Sequence, residues 1–220
     1  DKSYSELYKG IRHVKAGRFK LAEESYKKVL KKDNNNIDAL RLLGLLAFKN
    51  KNYSIAENLF IRAIKIDQHF HLLWDNLAKV YRIQNKLEKS KKAFKNLIKL
   101  DPYNLEALVA LGTIYVKLAD YDEGIKTYQK VLSLKNNNPR VYLSMGHALK
   151  TVGRRKECED AYHKAITLYP LCGEGYWSLA NLKTYKFSEA QILQMENSLD
   201  GKIQEQEKIQ MLFALGKAYE

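Results

Sequence analysis

The chain has 220 residues, 45% of them hydrophobic, which is enough to bury a core, and no run approaches the roughly 18 consecutive apolar residues needed to cross a bilayer. Residues 1–10 lack a basic start followed by an apolar segment, so no secretory leader is read there and a cytoplasmic location is expected. Cys158 and Cys172 are too few for a disulfide framework and fit a reducing compartment, while the net charge of +13 raises nucleic acid or an acidic partner as questions that charge distribution must answer.

The chain opens on Asp1 and closes on Glu220 inside an apolar-periodic stretch, so it is expected to be a piece of a longer protein. The first 36 residues hold 10 basic and 5 acidic side chains, whereas the stretch from Gly173 onward holds 5 and 7. The positive excess therefore lies toward the N-terminal part.

Comparison of the chain with itself at an offset of 34 residues shows small residues in step at Gly10, Gly44, Ala78, Gly112, Gly146 and Ala180. A second small series runs Ala22, Ala56, Ser90, Gly124 and Cys158, and four residues after each stands a ring: Tyr26, Phe60, Phe94, Tyr128 and Tyr162. Each period reads as two amphipathic helices, A and B, with apolar residues at three- and four-residue spacing and polar breaks between. In the third period helix A is expected over 72–83, with Trp74, Leu77, Ala78 and Tyr81 on one stripe, and helix B over 87–100. Pro102 and Pro170 stop helices, and Pro139 opens one. Helices approach to about 8–10 Å only where one offers little bulk, so each Gly or Ala of helix A is expected to receive the ring of helix B. Five full periods are expected at about 3–36, 37–70, 71–104, 105–138 and 139–172.

Trp74-x2-Leu77-Ala78-x2-Tyr81 and Leu111-Gly112-x2-Tyr115, with Ala56, Phe60 and Ala63, resemble the tetratricopeptide (TPR) signature. The resemblance implies an all-α fold: a right-handed superhelix, or α-α solenoid, of helix-turn-helix repeats. Asn34, Gln68 and Asn136 stand where that family usually has proline, which is expected to blur helix ends.

A sixth helix A begins with Tyr176, Leu179 and Ala180, but Thr184-Tyr185-Lys186-Phe187-Ser188 replaces the usual second helix, leaving 173–208 irregular. Ser188 and Gln191 form a capping-box pattern for a helix to about Leu199. A turn at Asp200-Gly201 follows, and Leu212, Leu215, Gly216 and Tyr219 restart a helix A pattern over 209–220, without a helix B. The stretch from Gly173 to Tyr185, continued by Phe187-Ser188, Met195-Glu196 and Phe213 to Ala218, resembles bacterial TPR-linked sulfotransferases. That resemblance implies a parent enzyme whose catalytic domain, using phosphoadenosine phosphosulfate (PAPS), lies beyond Glu220; no catalytic residue and no cofactor are assigned to this chain.

Gly173-x-Gly175 hints at a phosphate cradle, but no strand precedes it and a repeat junction accounts for it better. His69-Phe70-His71 lacks a third metal ligand at suitable spacing, so no metal is assigned. Cys158 reads as a small buried hydrophobe; Cys172, in a turn, reads as the more accessible thiol. Function is then expected on the helix A face of the repeats. There the binding set is Arg41, Phe48, Lys49, Asp75, Lys79, Arg82, Thr113, Lys117, His147, Lys150, Trp177 and Asn181, with Leu143 among the apolar positions between them. This lining of cations, rings and apolar groups suits a protein or peptide of acidic character, with Trp177 as its strongest anchor. The Lys and Asn clamp of chaperone-tail binders is missing, since Leu7 and Ile11 stand there, and Asn76 alone does not make an asparagine ladder. Basic clusters at Lys27-Lys28, Lys31-Lys32, Lys89, Lys91-Lys92, Lys95 and 154–156 pose an RNA-binding alternative. They lack interleaved rings for base stacking, so nucleic acid ranks below a peptide. A free-standing adaptor is the other alternative, and the apolar stripe of 209–220 is expected to favour self-association.

Overall fold

In the computed structural model, which describes residues 2–220, the chain forms α1 (Lys2–Lys15), α2 (Phe19–Lys32), α3 (Ile37–Lys49), α4 (Tyr53–Ile66), α5 (His71–Ile83), α6 (Leu87–Leu100) and α7 (Leu105–Lys117). There follow α8 (Tyr121–Leu134), α9 (Pro139–Thr151), α10 (Arg155–Leu168), α11 (Gly173–Ala180), α12 (Glu189–Leu199) and α13 (Glu205–Ala218), and no strand occurs among the described residues. The second helix of each hairpin starts at Phe19, Tyr53, Leu87, Tyr121 and Arg155, a spacing of 34 residues every time. Contacts divide the chain into two compact units, 1–107 and 108–220, the boundary falling in the first turn of α7.

In the first unit α1 packs on α2, α3 on α4 and α5 on α6, with α2 against α3 and α4 against α5 joining the hairpins; in the second, α9 packs on α10, with α8 against α9 and α10 against α11. Glycine sets the closeness of these pairs. A Cβ on Gly44 would lie 2.6 Å from Phe60 Cε1, on Gly112 2.7 Å from Tyr128 Cε1 and on Gly146 2.5 Å from Tyr162 Cε1, and on Gly10 it would overlap the Tyr26 ring. All four rings are buried, as are Ala22, Ala56, Ser90 and Cys158 of the second small series. The slots for rings thus follow the sequence pattern.

The turn inside each hairpin repeats as strictly as the helices. Gly17, Lys51, Asn85, Ala119 and Gly153 have φ between 56° and 76°, and the next residue donates its N–H back five residues: Arg18 to His13 O (2.8 Å), Asn52 to Ala47 O (2.8 Å), Lys86 to Tyr81 O (2.8 Å), Asp120 to Tyr115 O (2.9 Å) and Arg154 to Leu149 O (3.0 Å). This is the Schellman arrangement, which satisfies carbonyls at the end of helix A.

Between hairpins the absence of proline does not blur the helix ends. Asn36 Oδ1 accepts from Ala39 N at 3.0 Å, Asn104 Oδ1 from Ala107 N at 3.0 Å and Asn138 Oδ1 from Val141 N at 3.3 Å. An asparagine just before helix A caps the orphan N–H groups and so does the punctuating work expected of proline.

At the C-terminal end, Ser188 and Gln191 form the expected capping box and α12 ends at Leu199. Helix α13 lies alongside α11 in the same direction: the Gly173 N–H donates to Glu207 Oε2 (2.6 Å) near their N-termini, and Lys217 Nζ donates to Asn181 Oδ1 (3.4 Å) near their C-termini. The two pack about as extensively as the helices within a regular hairpin, whereas α3 and α5, offset by the same 34 residues, only touch. Gly173 is the reason, since a Cβ there would overlap the Glu207 carbonyl oxygen and lie 2.8 Å from its carbon. Met211, Ala214 and Leu215 are buried, so Leu215 leaves the stripe that sequence pattern marks as unpartnered; Leu212, Phe213 and Tyr219 remain exposed.

Candidate partner-binding faces

Helix A positions that do not serve the core form a separate face in each unit. In the first unit Lys79 is the centre of a small ionic network, its ammonium 2.9 Å from Asp75 and 3.4 Å from Glu106. Burial alone would pull that ammonium down, but the hydrogen bond and charge of Asp75, joined by Glu106, outweigh it and leave Lys79 above its ordinary value. Arg41 lies 5.7 Å over the Phe70 ring and 3.5 Å from Asp38. Phe48 packs edge-on against Tyr53 at 5.7 Å, and the Lys49 ammonium sits 4.4 Å over Phe19. Arg82 is exposed. Phe48 and Lys49 therefore cover rings of their own hairpins with part of their surface, and Arg82 is the more open cation.

In the second unit the face is built around His147. Its Nε2 is 3.0 Å from Glu174 Oε1 and its Nδ1 is 3.0 Å from the Tyr162 hydroxyl, so one imidazole links α9, α10 and α11. The hydrogen bond to His147 holds the Glu174 carboxyl below its ordinary value, against the opposing effect of burial. Thr113 is partly spent on its own helix, its hydroxyl donating to Val109 O at 3.0 Å and sitting 3.2 Å from Tyr128 Oη. Lys117 and Lys150 are exposed. Trp177 is 42% exposed, a large share for an indole, and Asn181 donates to its carbonyl at 2.9 Å. Leu143 is buried, which corrects its assignment to the lining: it packs in the same core cluster as Leu149, Tyr162 and Tyr176.

Sequence pattern does not reveal that Tyr162, a slot-filling ring, also fixes His147, nor that Lys217 reaches Asn181. Both pairs join residues of different helices, and only the period could have brought them together on paper. Cys172 is a second correction. The thiol is 2% exposed and burial pushes it up to about 11, so it is inert rather than accessible; Cys158 is likewise buried and free.

The basic clusters are largely neutralised on their own helices. Lys27 pairs with Glu23 at 2.6 Å, Lys91 with Glu88 at 2.9 Å, Arg154 with Glu157 at 2.6 Å and Arg155 with Glu159 at 2.8 Å. Such spacing serves helix surfaces more than a phosphate track. The phosphate-cradle geometry at Gly173-x-Gly175 does not fit an anion either, because the Gly173 N–H already holds the Glu207 carboxylate and a Cβ on Gly175 would meet Ile166 at 2.8 Å. Among the described residues no group of His, Cys, Asp or Glu is placed to hold a metal, and no helix is long and apolar enough to cross a membrane.

Family models described as tetratricopeptide repeat match residues 13–80, and again 72–104 and 139–170; one described as TPR repeat matches 112–153. BBSome complex member BBS4 of Bos taurus is 24% identical over 137 residues, 62% of this chain and 26% of that protein. The N-terminal acetyltransferase A complex auxiliary subunit NAA15 of Arabidopsis thaliana is 27% identical over 141 residues, 63% of this chain and 16% of that protein. This chain thus spans well under a third of the length of these curated relatives. Two crystal structures of MamA superpose with TM-scores of 0.69 and 0.71 at 26% and 25% identity, covering 73% and 76% of this chain and 94% and 92% of theirs.

Proposed function

Because the chain belongs to the tetratricopeptide-repeat proteins, we propose that it is a protein-interaction scaffold that holds a peptide or partner domain of acidic character on its helix A faces. The observation that carries the reading is Trp177: an indole kept 42% exposed, beside Asn181, with no demand from the core for that position. Exposed tryptophans concentrate at binding hot spots. Lys79, Arg82, Lys117 and Lys150 supply the positive charge that would set the register of an acidic segment. The names of the relatives, a complex member and an auxiliary subunit, accord with a part in assemblies.

A finer proposal concerns the whole protein. The wording of residues 173–188 resembles the repeats that precede PAPS-dependent sulfotransferase domains, so the scaffold would recruit or orient the acceptor of such an enzyme. Reading the coding sequence beyond Glu220 tests this directly, and a downstream segment without a strand–loop–helix phosphate site removes it.

The test of the scaffold reading is a variant with Lys79, Arg82, Lys150 and Trp177 all changed to alanine. Proteins captured from the source cell by the unaltered chain should be lost, while helicity and melting temperature stay nearly unchanged. Undiminished capture by the variant refutes the assignment of these faces.

A further inference from the structure

The first unit carries a second feature, unrelated to the helix A face. Between α4, α5 and α6 lies an open cavity of about 330 Å³. Its floor is Ile61, Ile64, Trp74, Leu77 and Tyr81, and its rim carries Lys65, Lys89 and Lys92. The indole is held in place by its Nε1–H, which donates to Gln68 O at 2.7 Å, so its ring lines the cavity as a fixed wall.

The charge at this cavity is not a demand of the scaffold. Two periods further on, the residues in register with Lys65, Lys89 and Lys92 are Ser133, Glu157 and Asp160, and the hairpins form all the same. Nor is the rim neutralised. Glu57 is the carboxylate that reaches it, 4.0 Å from Lys89, but Glu57 is already paired with Lys86 at 2.7 Å. Lys89 also lies 5.6 Å over the Tyr81 ring. Lys65 and Lys92 are exposed and enter no ion pair among the described residues. An apolar floor with a net positive rim matches one kind of occupant: a bulky apolar side chain whose neighbours in the chain carry carboxylates.

We propose that this cavity is a docking site for a peptide segment of a partner protein, one leucine or phenylalanine seated against Trp74 and flanked by aspartate or glutamate on Lys65, Lys89 and Lys92. The site is independent of the helix A faces, and a partner could engage both, gaining from effective concentration.

The experiment uses the full chain carrying Trp177→Phe, so that Trp74 is the sole indole. Trp74 emission is titrated with a short acetylated peptide holding a leucine-phenylalanine pair between acidic residues. Saturable change in emission is expected, lost when the apolar pair of the peptide is replaced by serine and weakened about tenfold or more by the triple variant Lys65→Glu, Lys89→Glu, Lys92→Glu. The three lysines are exposed, so this variant should keep its helicity by circular dichroism; should it unfold, the single variants Lys65→Glu and Lys92→Glu are titrated and each must weaken binding. A flat titration, equal binding by the charge-reversed chains, or equal binding of the serine peptide overturns the proposal. Palmitate run in parallel must bind much more weakly than the peptide; if it binds as well and is lost in the same variants, the site takes an anionic lipid and the peptide assignment is wrong. Because Trp177 is absent throughout, these outcomes leave the helix A reading to its own test.

Discussion

Replacing Gly173 by alanine probes the unusual side-by-side pairing of α11 and α13. The new Cβ would overlap the Glu207 carbonyl oxygen and lie 2.8 Å and 2.9 Å from its carbonyl carbon and Cα, all backbone atoms. Ordinary contact starts near 3.4 Å, so α13 must retreat by about 0.5 Å or more, and a gap of that size already forfeits a quarter or more of each dispersion contact along Met211, Ala214 and Leu215. The 2.6 Å bond from Gly173 N to Glu207 Oε2 stretches with it. Overpacking of this kind costs about 1–3 kcal/mol, and the small gain in helix propensity at the first position of α11 offsets only part of it. Gly216 is the control on the same helix: a Cβ there meets nothing within 4 Å, so Gly216→Ala should stabilise by up to about 1 kcal/mol. Hydrogen exchange resolves the effect better than a melting curve, since units of a repeat protein can open separately. Amides of α13 should lose protection in Gly173→Ala and gain it in Gly216→Ala, while those of α3 and α4 stay as they were. Unchanged protection of α13 in the first variant would refute the argument that a missing side chain sets this interface.

Two further outcomes follow from burial. Because burial holds the Cys172 thiol up at about 11, the folded chain keeps a proton that the unfolded chain releases near 8.5, so the stability this confers is full below about pH 8.5 and is lost as pH rises toward 11; native protein should resist iodoacetamide at pH 8 and react when denatured, and fast native alkylation at this residue would contradict it. Leu212 and Phe213, exposed at 49% and 64% on α13, should drive concentration-dependent association, which Leu212→Lys with Phe213→Lys should abolish in sedimentation velocity; a strict monomer at high concentration in the unaltered chain removes the idea.

Much of this architecture can be read from the sequence because helix-pair packing needs a particular residue at a particular offset. A ring four residues after a small residue, opposite a glycine one turn of the period away, leaves few other ways to fold. The α11–α13 pairing escapes that logic. Gly173 reads equally well as a junction residue or a helix start, and nothing local says that its absent side chain admits the backbone of Glu207, 34 residues on. The candidate faces are harder still, for a physical reason: positions that bind partners are those the core leaves free, so they carry no periodic constraint. His147 illustrates this. Its type is no requirement of the repeat, and its links to Tyr162 and Glu174 depend on three helices being already in place. The cavity by Trp74 shows the same from the other side, since the tryptophan is legible as a repeat signature while the lysines around it obey no period.

The turns supply the sharpest case of a periodic feature hidden by residue identity. Gly17 and Gly153 mark the left-handed position openly, but at the same register stand Lys51, Asn85 and Ala119, with φ of 62°, 56° and 59°. A β-carbon in that conformation costs about 1–2 kcal/mol, least for asparagine, and the strain is held by the five-residue back-bond that follows, such as Asp120 N to Tyr115 O at 2.9 Å. Ala119→Gly removes the strain at the expense of a more flexible unfolded chain, so a net gain of about 0.5–1 kcal/mol is expected. Gly153→Ala should lose about 1 kcal/mol, although the new Cβ would enter open space, which excludes a clash as the cause. Urea unfolding of the two variants beside the unaltered chain measures both signs at once. Were Ala119→Gly to destabilise, or Gly153→Ala to be neutral, the left-handed turn would not be the strained element that the backbone geometry makes it.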